Sequence, residues 1–170
     1  MIVFDRPLFY LINKNCANRF FDAVMPVVTE IGGWKILLVL AVFLFFLRKK
    51  ELRIAGIYII VGLFISSAAA YVLKILIASP RPSGVLPDVR LLMEGSEKTF
   101  SFPSRHAINI FMAATVLYAH SKKLYYLYFI AIAVIFSRVY IGAHFPSDVL
   151  AGAFIGIFLG YCITRVSKFI

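Results

Sequence analysis

The 170-residue chain is 62% apolar and 15% charged, with a mean hydropathy of +0.91. Its 8 acids and 18 bases cannot cover that much Leu, Ile, Phe and Val with polar surface, which excludes a soluble domain and makes lipid the solvent. The formal net charge of +10 does not point to nucleic acid, because the bases fall between apolar runs and no stretch joins a polybasic face to interleaved stacking aromatics.

Residues 1–15 lack the basic start, unbroken apolar stretch and small-residue cleavage site of a signal peptide, so no processing is expected. Residues 1–31 read as an N-terminal interfacial segment. Within it, Asn18 to Ile31 forms an amphipathic stretch that breaks at Gly32 and Gly33 before the first strongly apolar run. That run extends from Trp34 to Leu47, and others follow at Ile54 to Ile77, Leu124 to Ser137 and Val149 to Thr164, with a shorter one at Ala107 to Ala119. Crossing about 30 Å of hydrocarbon takes roughly 20 helical residues. Only Ile54 to Ile77 reaches that length unaided; the later runs must borrow Ser104, Arg105, His106, Arg138, His144 and Asp148 at their ends. The expected fold is all-α: a polytopic membrane helix bundle of about five transmembrane helices plus N-terminal interfacial helices, forming one membrane-embedded domain over 1–170.

Arg48, Lys49, Lys50 and Arg53, then Lys122 and Lys123, then Arg165 and Lys168 all fall on one side of this topology, which the excess of bases in cytoplasmic loops makes the inner side. The N-terminus, the 78–103 loop and the turn from Arg138 to Asp148 are then outside. The 78–103 loop is rich in proline and reads as irregular, with Asp88, Arg90, Glu94, Glu97 and Lys98 as solvated surface. Tyr125, Tyr126 and Tyr128 read as an interfacial belt, and His120 as a hydrogen-bond partner between helices. Cys16 and Cys162 fall near opposite faces without metal-binding spacing, so neither a disulfide nor a zinc site is expected.

Ionisable residues at membrane depth are costly and point to function. Here Lys74, Arg81, Ser104, Arg105, His106, Arg138, His144 and Asp148 all gather on the outer side. Singly, Lys74 or Arg138 reads equally well as an anchor whose charged end reaches the interface; jointly the set does not. The order Lys74, six residues, Arg81-Pro82, then Pro103-Ser104-Arg105-His106, then Ser137-Arg138, five residues, His144, three residues, Asp148 resembles the three-part signature of the type 2 phosphatidic acid phosphatase superfamily. Every spacing fits, over nearly half the chain. One position departs: Arg105 stands where the family has glycine, and a site requiring positive φ there would be strained.

Chemically, phosphoryl transfer needs cations aimed at the phosphate oxygens, an in-line nucleophile and an acid for the leaving group. Lys74, Arg81 and Arg138 supply three cations from three segments, and Ser104 precedes a helix start whose free N–H groups favour an anion. Asp148 lies four residues beyond His144, close enough on a helix to hold one ring nitrogen and leave the other to attack. Spacing alone does not choose between the two histidines. The resemblance does: it implies His144 as nucleophile forming a phosphohistidine, Asp148 as its orienter, His106 as general acid and then base, and catalysis without metal or cofactor. A single carboxylate beside three cations also suits a metal pair poorly.

The expected function is therefore removal of phosphate from a lipid phosphate or diphosphate head group in a bacterial inner (cytoplasmic) membrane, with the site facing the periplasm or exterior. The partners are a membrane lipid and the bilayer, and soluble phosphates are expected to be poor substrates. The short 78–103 loop leaves an open site that suits a bulky head group, favouring lipid A 1-phosphatase over undecaprenyl-diphosphate or phosphatidylglycerophosphate phosphatase. A transporter that binds a phosphate headgroup needs no imidazole–carboxylate pair, and a phosphotransferase would pass the phosphoryl group to an alcohol.

Overall fold

Every regular element in the computed structural model, which describes residues 4–93 and 99–166, is helical. In chain order these are α1 (Asp5–Tyr10), a π-turn (Leu11–Asn15), α2 (Arg19–Glu30), α3 (Trp34–Phe46), α4 (Lys50–Ile77), α5 (Pro82–Val85), α6 (Arg105–His120), a 3-10 turn (Lys122–Tyr126), α7 (Leu127–Tyr140) and α8 (Pro146–Val166). All five apolar runs are helices. Asn18 caps α2 by accepting the Phe21 N–H at 2.9 Å. At Gly32 and Gly33 the chain bends by 54° into α3, as the glycine pair predicts. The 78–103 loop is irregular where described, apart from the single turn α5, which starts on Pro82.

Three helical stretches are long and apolar enough to cross a membrane, and the bent pair α2–α3 makes a fourth candidate. The exception is α6, with 16 residues. Its residues Ala107 to Leu117 are all buried, so it lies at the centre of the bundle and is covered by protein instead of lipid. That explains its weak hydropathic signal: a helix enclosed by other helices can carry Asn109 and Thr115 where a lipid-facing one could not.

Small residues set how closely α6 is approached. Gly152, Gly156 and Gly160 recur every four residues on the face of α8 turned to α6. A Cβ on Gly156 would lie 2.4 Å from the Ile108 carbonyl, and one on Gly152 2.7 Å from that of Ser104. The backbones themselves are in contact, the arrangement that small residues at four-residue spacing allow between membrane helices. On the other flank, a Cβ on Gly62 of α4 would meet the Met112 sulfur at 2.4 Å. Because α8 is locked against α6, the Ser104 N–H reaches the Asp148 carbonyl at 3.1 Å and fixes the two helix starts in register.

The polar side chains separate to opposite ends. Tyr58 near the start of α4 contacts His120 at the end of α6, and a cavity joins Tyr118 and Lys122 to Tyr161 and Thr164, so the basic clusters share one end. His120 does not bond another helix as expected; its Nδ1 pairs with the Val116 carbonyl one turn back, and its ring packs on Tyr58. Tyr125 and Tyr126 are exposed, consistent with a belt, but Tyr128 turns inward, where its hydroxyl pairs with Thr115 at 3.0 Å. Cys16 and Cys162 are both free thiols.

At the other end, the N-terminal segment straps the molecule together. Buried Asn13 donates to the carbonyls of Arg90 and Tyr140 at 2.9 and 2.8 Å and accepts the Arg90 N–H at 3.0 Å. Arg90 is not solvated surface: its guanidinium pairs with both oxygens of Asp22 at 2.8 Å and lies over the Tyr140 ring. Asp88 is exposed, with Lys14 at 3.5 Å, whereas Glu94, Glu97 and Lys98 lie outside the described residues.

Candidate active site

Three chain segments bring the expected residues to the end of the bundle opposite the basic clusters. The first is the end of α4 and the turn beyond it. Ala78 stops α4 in a left-handed conformation, and Pro80 and Pro82 then hold the chain extended around Arg81. Lys74, half-buried, donates to the carbonyls of Phe100 and Ser101. Arg81 is buried and donates from Nε to the Thr99 carbonyl at 2.7 Å, from Nη1 to the Ala143 carbonyl at 2.6 Å and from Nη2 to the Thr99 hydroxyl at 2.9 Å. Both cations thus anchor residues 99–101 of the 78–103 loop, and Arg81 also ties down the turn before α8.

The second segment opens α6. Ser104 is its N-cap residue, yet its side chain makes no capping bond; the buried hydroxyl has no partner among the described residues. Arg105 is exposed and takes up the first helical position, so the substitution for glycine costs no backbone strain: positive φ is confined, among described non-glycine residues, to Ala78 and Asp88. His106 follows within electrostatic reach of Arg138, His144, Arg105 and Arg81.

The third segment is the end of α7 and the start of α8. Arg138 is 6% exposed; its Nη1 donates to the Thr29 hydroxyl at 3.1 Å, while its Nε has no partner among the described residues. Ser104 Oγ and Arg138 Nε are the buried side-chain polar atoms left unpaired among the described residues. Both belong to groups that can donate to an anion, and leaving such atoms buried without a partner costs about 1–3 kcal/mol each. A bound phosphate would relieve that cost.

His144 and Asp148 are both 2% exposed. The turn carrying His144 lies between two spans, and burial there, reinforced by Arg138, Arg81 and Lys74, holds the imidazole well below the ordinary histidine range and therefore neutral. Because α8 begins at Pro146, Asp148 turns back towards the ring as its spacing predicts. The contact is not direct, however. His144 Nδ1 and Asp148 Oδ2 are 3.6 Å apart, beyond hydrogen-bond length. Oδ2 instead accepts from the Ser101 hydroxyl at 2.5 Å and the Phe145 N–H at 2.8 Å, and the same hydroxyl lies 3.3 Å from Nδ1.

Ser101, Thr29 and Asp5 are the site-supporting residues that sequence reasoning missed. Asp5 accepts the Ser147 N–H at 3.0 Å and the Ser147 hydroxyl at 2.8 Å, holding the start of α8 between His144 and Asp148. Nothing local in the sequence marks these three, because each lies far along the chain from the residue it supports. Beside the site, a cavity of about 730 Å3 is lined by Tyr71, Lys74, Ile75, Arg81, Leu91 and Phe100, among others. Exposed Tyr71 and Ile75 open it to the outer surface of α4.

Residues 55–169 match the PAP2 superfamily model, a span that includes all three segments. The chain belongs to the PAP2 superfamily. Over 170 residues it is 30% identical to the undecaprenyl-diphosphatase of Sulfolobus acidocaldarius, covering 98% of this chain and 80% of that one. Its fold is similar to that of LpxE from Aquifex aeolicus, with a TM-score of 0.83, 31% identity and 96% of each chain covered. It is also similar to a transmembrane PAP2-type phosphatidylglycerolphosphate phosphatase from Bacillus subtilis, with a TM-score of 0.76, 29% identity, and coverage of 97% of this chain and 87% of that one. The protein is accordingly a PAP2 membrane lipid phosphatase, a hydrolase of phosphate esters or anhydrides.

Proposed function

We propose that the protein removes phosphate from a lipid diphosphate at the extracytoplasmic face of a bacterial inner membrane, through a phosphohistidine on His144. The observation that carries this reading is the convergence of Lys74, Arg81, Arg138 and the unpaired Ser104 hydroxyl around two histidines, next to an apolar cavity open on its lipid side. Phosphate oxygens would take the free Arg138 Nε, the Ser104 hydroxyl and the charges of Lys74 and Arg81, with Arg105 at the exposed rim. The lipid chain would lie along Tyr71 and Ile75, which is why a soluble phosphate ester would bind poorly.

In the first step Nε2 of neutral His144 attacks phosphorus, an N–P bond forms and the P–O bond to the leaving group breaks. His106, in its imidazolium form beside the bound phosphate, gives that oxygen a proton and becomes neutral. In the second step His106 takes a proton from water, the water oxygen attacks phosphorus and the N–P bond breaks, returning both histidines to their starting state. Asp148 balances the charge of the phosphorylated ring. The reading needs no metal: the carboxylate beside the histidines already accepts two hydrogen bonds on Oδ2, and the cations do the work of charge neutralisation. The outward orientation is supported by the collection of basic clusters at the opposite end.

Among lipids, undecaprenyl diphosphate is favoured by the similarity over nearly the whole chain to an undecaprenyl-diphosphatase. Lipid A is the second reading, supported by 34% identity over 84 residues to the lipid A 4'-phosphatase of Bacteroides thetaiotaomicron and by the open site. The test is phosphate release by purified protein and its His144→Ala variant, with chelator present, from undecaprenyl diphosphate, lipid A, phosphatidylglycerophosphate and phosphatidic acid. Release by the wild type alone, fastest from undecaprenyl diphosphate, is expected. Turnover by the variant, or a requirement for added magnesium, would overturn the mechanism; a different rate order would reassign the substrate.

A further inference from the structure

We propose that Ser101 is the positioning residue of the nucleophile: its hydroxyl links Asp148 to His144 and selects the tautomer that leaves Nε2 free to attack. The inference rests on the reading of His144 as nucleophile. A carboxylate and an imidazole that cooperate directly need a hydrogen bond between them, and the 3.6 Å separation of Nδ1 and Oδ2 does not supply one. The Ser101 hydroxyl fills that gap, 2.5 Å from Oδ2 and 3.3 Å from Nδ1.

Proton counting then decides the direction. A carboxylate only accepts, so the single hydroxyl proton of Ser101 is spent on Oδ2. What the oxygen turns to Nδ1 is a lone pair, and a lone pair is matched only by a protonated Nδ1. The proton of a neutral ring is thereby fixed on Nδ1, and the lone pair resides on Nε2. When Nε2 bonds to phosphorus the ring becomes cationic with its Nδ1 proton still in place, and its charge is relayed through the hydroxyl to Asp148. No proton leaves the chain of three groups at any stage.

Ser101 is held firmly enough for this task. It is fully buried, its N–H donates to the Ser79 carbonyl at 2.8 Å, and its carbonyl accepts from Lys74 at 3.2 Å. Ser101→Ala removes the hydroxyl and leaves these backbone bonds in place.

The experiment compares full-length wild type with Ser101→Ala, Ser101→Thr, Asp148→Asn, the Ser101→Ala/Asp148→Asn double variant and His144→Ala, using undecaprenyl diphosphate in detergent micelles and thermal unfolding as a folding check. Ser101→Ala is expected to lower kcat by about 10- to 100-fold, the range for groups that orient a reacting side chain, with KM within twofold. Ser101→Thr restores most of the rate, and the double variant is no slower than Asp148→Asn, because both changes cut one relay. Should Ser101→Ala fail to fold, Ser101→Cys keeps the volume and weakens the donor, and the same loss of kcat is expected from it. Wild-type kcat in Ser101→Ala, a change in KM alone, or additive losses in the double variant would overturn the role of Ser101. Turnover by His144→Ala would instead overturn the nucleophile assignment beneath it, so the two failures are distinguishable.

Discussion

Thr29 accepts a hydrogen bond from Nη1 of Arg138 at 3.1 Å, joining residues 109 positions apart. Thr29 is fully buried at the end of α2, so the N-terminal segment, although it precedes every motif residue, forms one wall of the cationic site. The bond holds one end of the guanidinium and leaves Nε, unpaired among the described residues, for an acceptor. Thr29→Val, which keeps the shape and removes the hydroxyl, is expected to lower kcat/KM about tenfold, within the range for outer-shell partners, while Thr29→Ser stays near wild type. Steady-state phosphate release checks both, and an unchanged Thr29→Val would reduce the contact to packing.

His144→Ala and Asp148→Asn should separate chemistry from binding. Both residues are polar and buried at the site rather than part of the apolar core, so each variant is expected to fold. His144→Ala abolishes turnover. Asp148→Asn retains lipid binding but loses about 100-fold or more in rate, as when the acid that orients a catalytic imidazole is neutralised. Lipid binding measured beside phosphate release distinguishes the two; wild-type rate in Asp148→Asn would make the acid structural.

Gly156→Val tests the contact between α6 and α8. A Cβ at Gly156 would meet the Ile108 carbonyl at 2.4 Å and the Met112 nitrogen at 3.0 Å, both backbone atoms that cannot swing aside. Overpacking of this kind costs about 1–3 kcal/mol, and it also moves Ser104 away from Asp148, so both melting temperature and activity fall. Gly84→Ala is the control. No described residue lies within 4 Å of its Cβ position, and its melting temperature is expected to match wild type. A Gly156→Val protein as stable and active as wild type would show that the helices can separate without consequence.

Asn13→Ala addresses the strap. One side-chain amide serves the backbone of both the 78–103 loop and the end of α7, and its removal leaves the carbonyls of Arg90 and Tyr140 and the Arg90 N–H without that partner. The expected destabilisation is about 1–3 kcal/mol for each group that stays buried. Thermal unfolding measures it, and faster proteolysis within residues 79–93 should accompany it. If the loop remained as resistant as in wild type, Arg90–Asp22 pairing alone would suffice to hold it.

The helices and the motif residues were legible in the sequence for different reasons. Lipid imposes a long apolar run on any helix it touches, so α3, α4, α7 and α8 announce themselves by composition, while Gly32 and Gly33 mark a bend because two glycines weaken a helix wherever they stand. Lys74, Arg81, Arg138, His144 and Asp148 stood out because charge is rare at such depth, and the Ser104 to His106 segment because it matched a known spacing. Short-range relations also carried over: a spacing of four residues across a helix start brings Asp148 back towards His144.

Tertiary structure decided everything that depends on a partner distant in the chain. Ser101 lies in an irregular loop without periodicity, and only the folding of that loop over α8 puts its hydroxyl between two catalytic candidates. Arg90 looked like solvated surface because it is a charged residue in an irregular loop; its true neighbours, Asn13, Asp22 and Tyr140, come from the N-terminal segment and from the end of α7. The same is true of Thr29 beneath Arg138 and Asp5 against Ser147. A hydrogen bond is directional and reaches about 3 Å, so its partner is chosen by how helices pack, and no local pattern of residues records that choice.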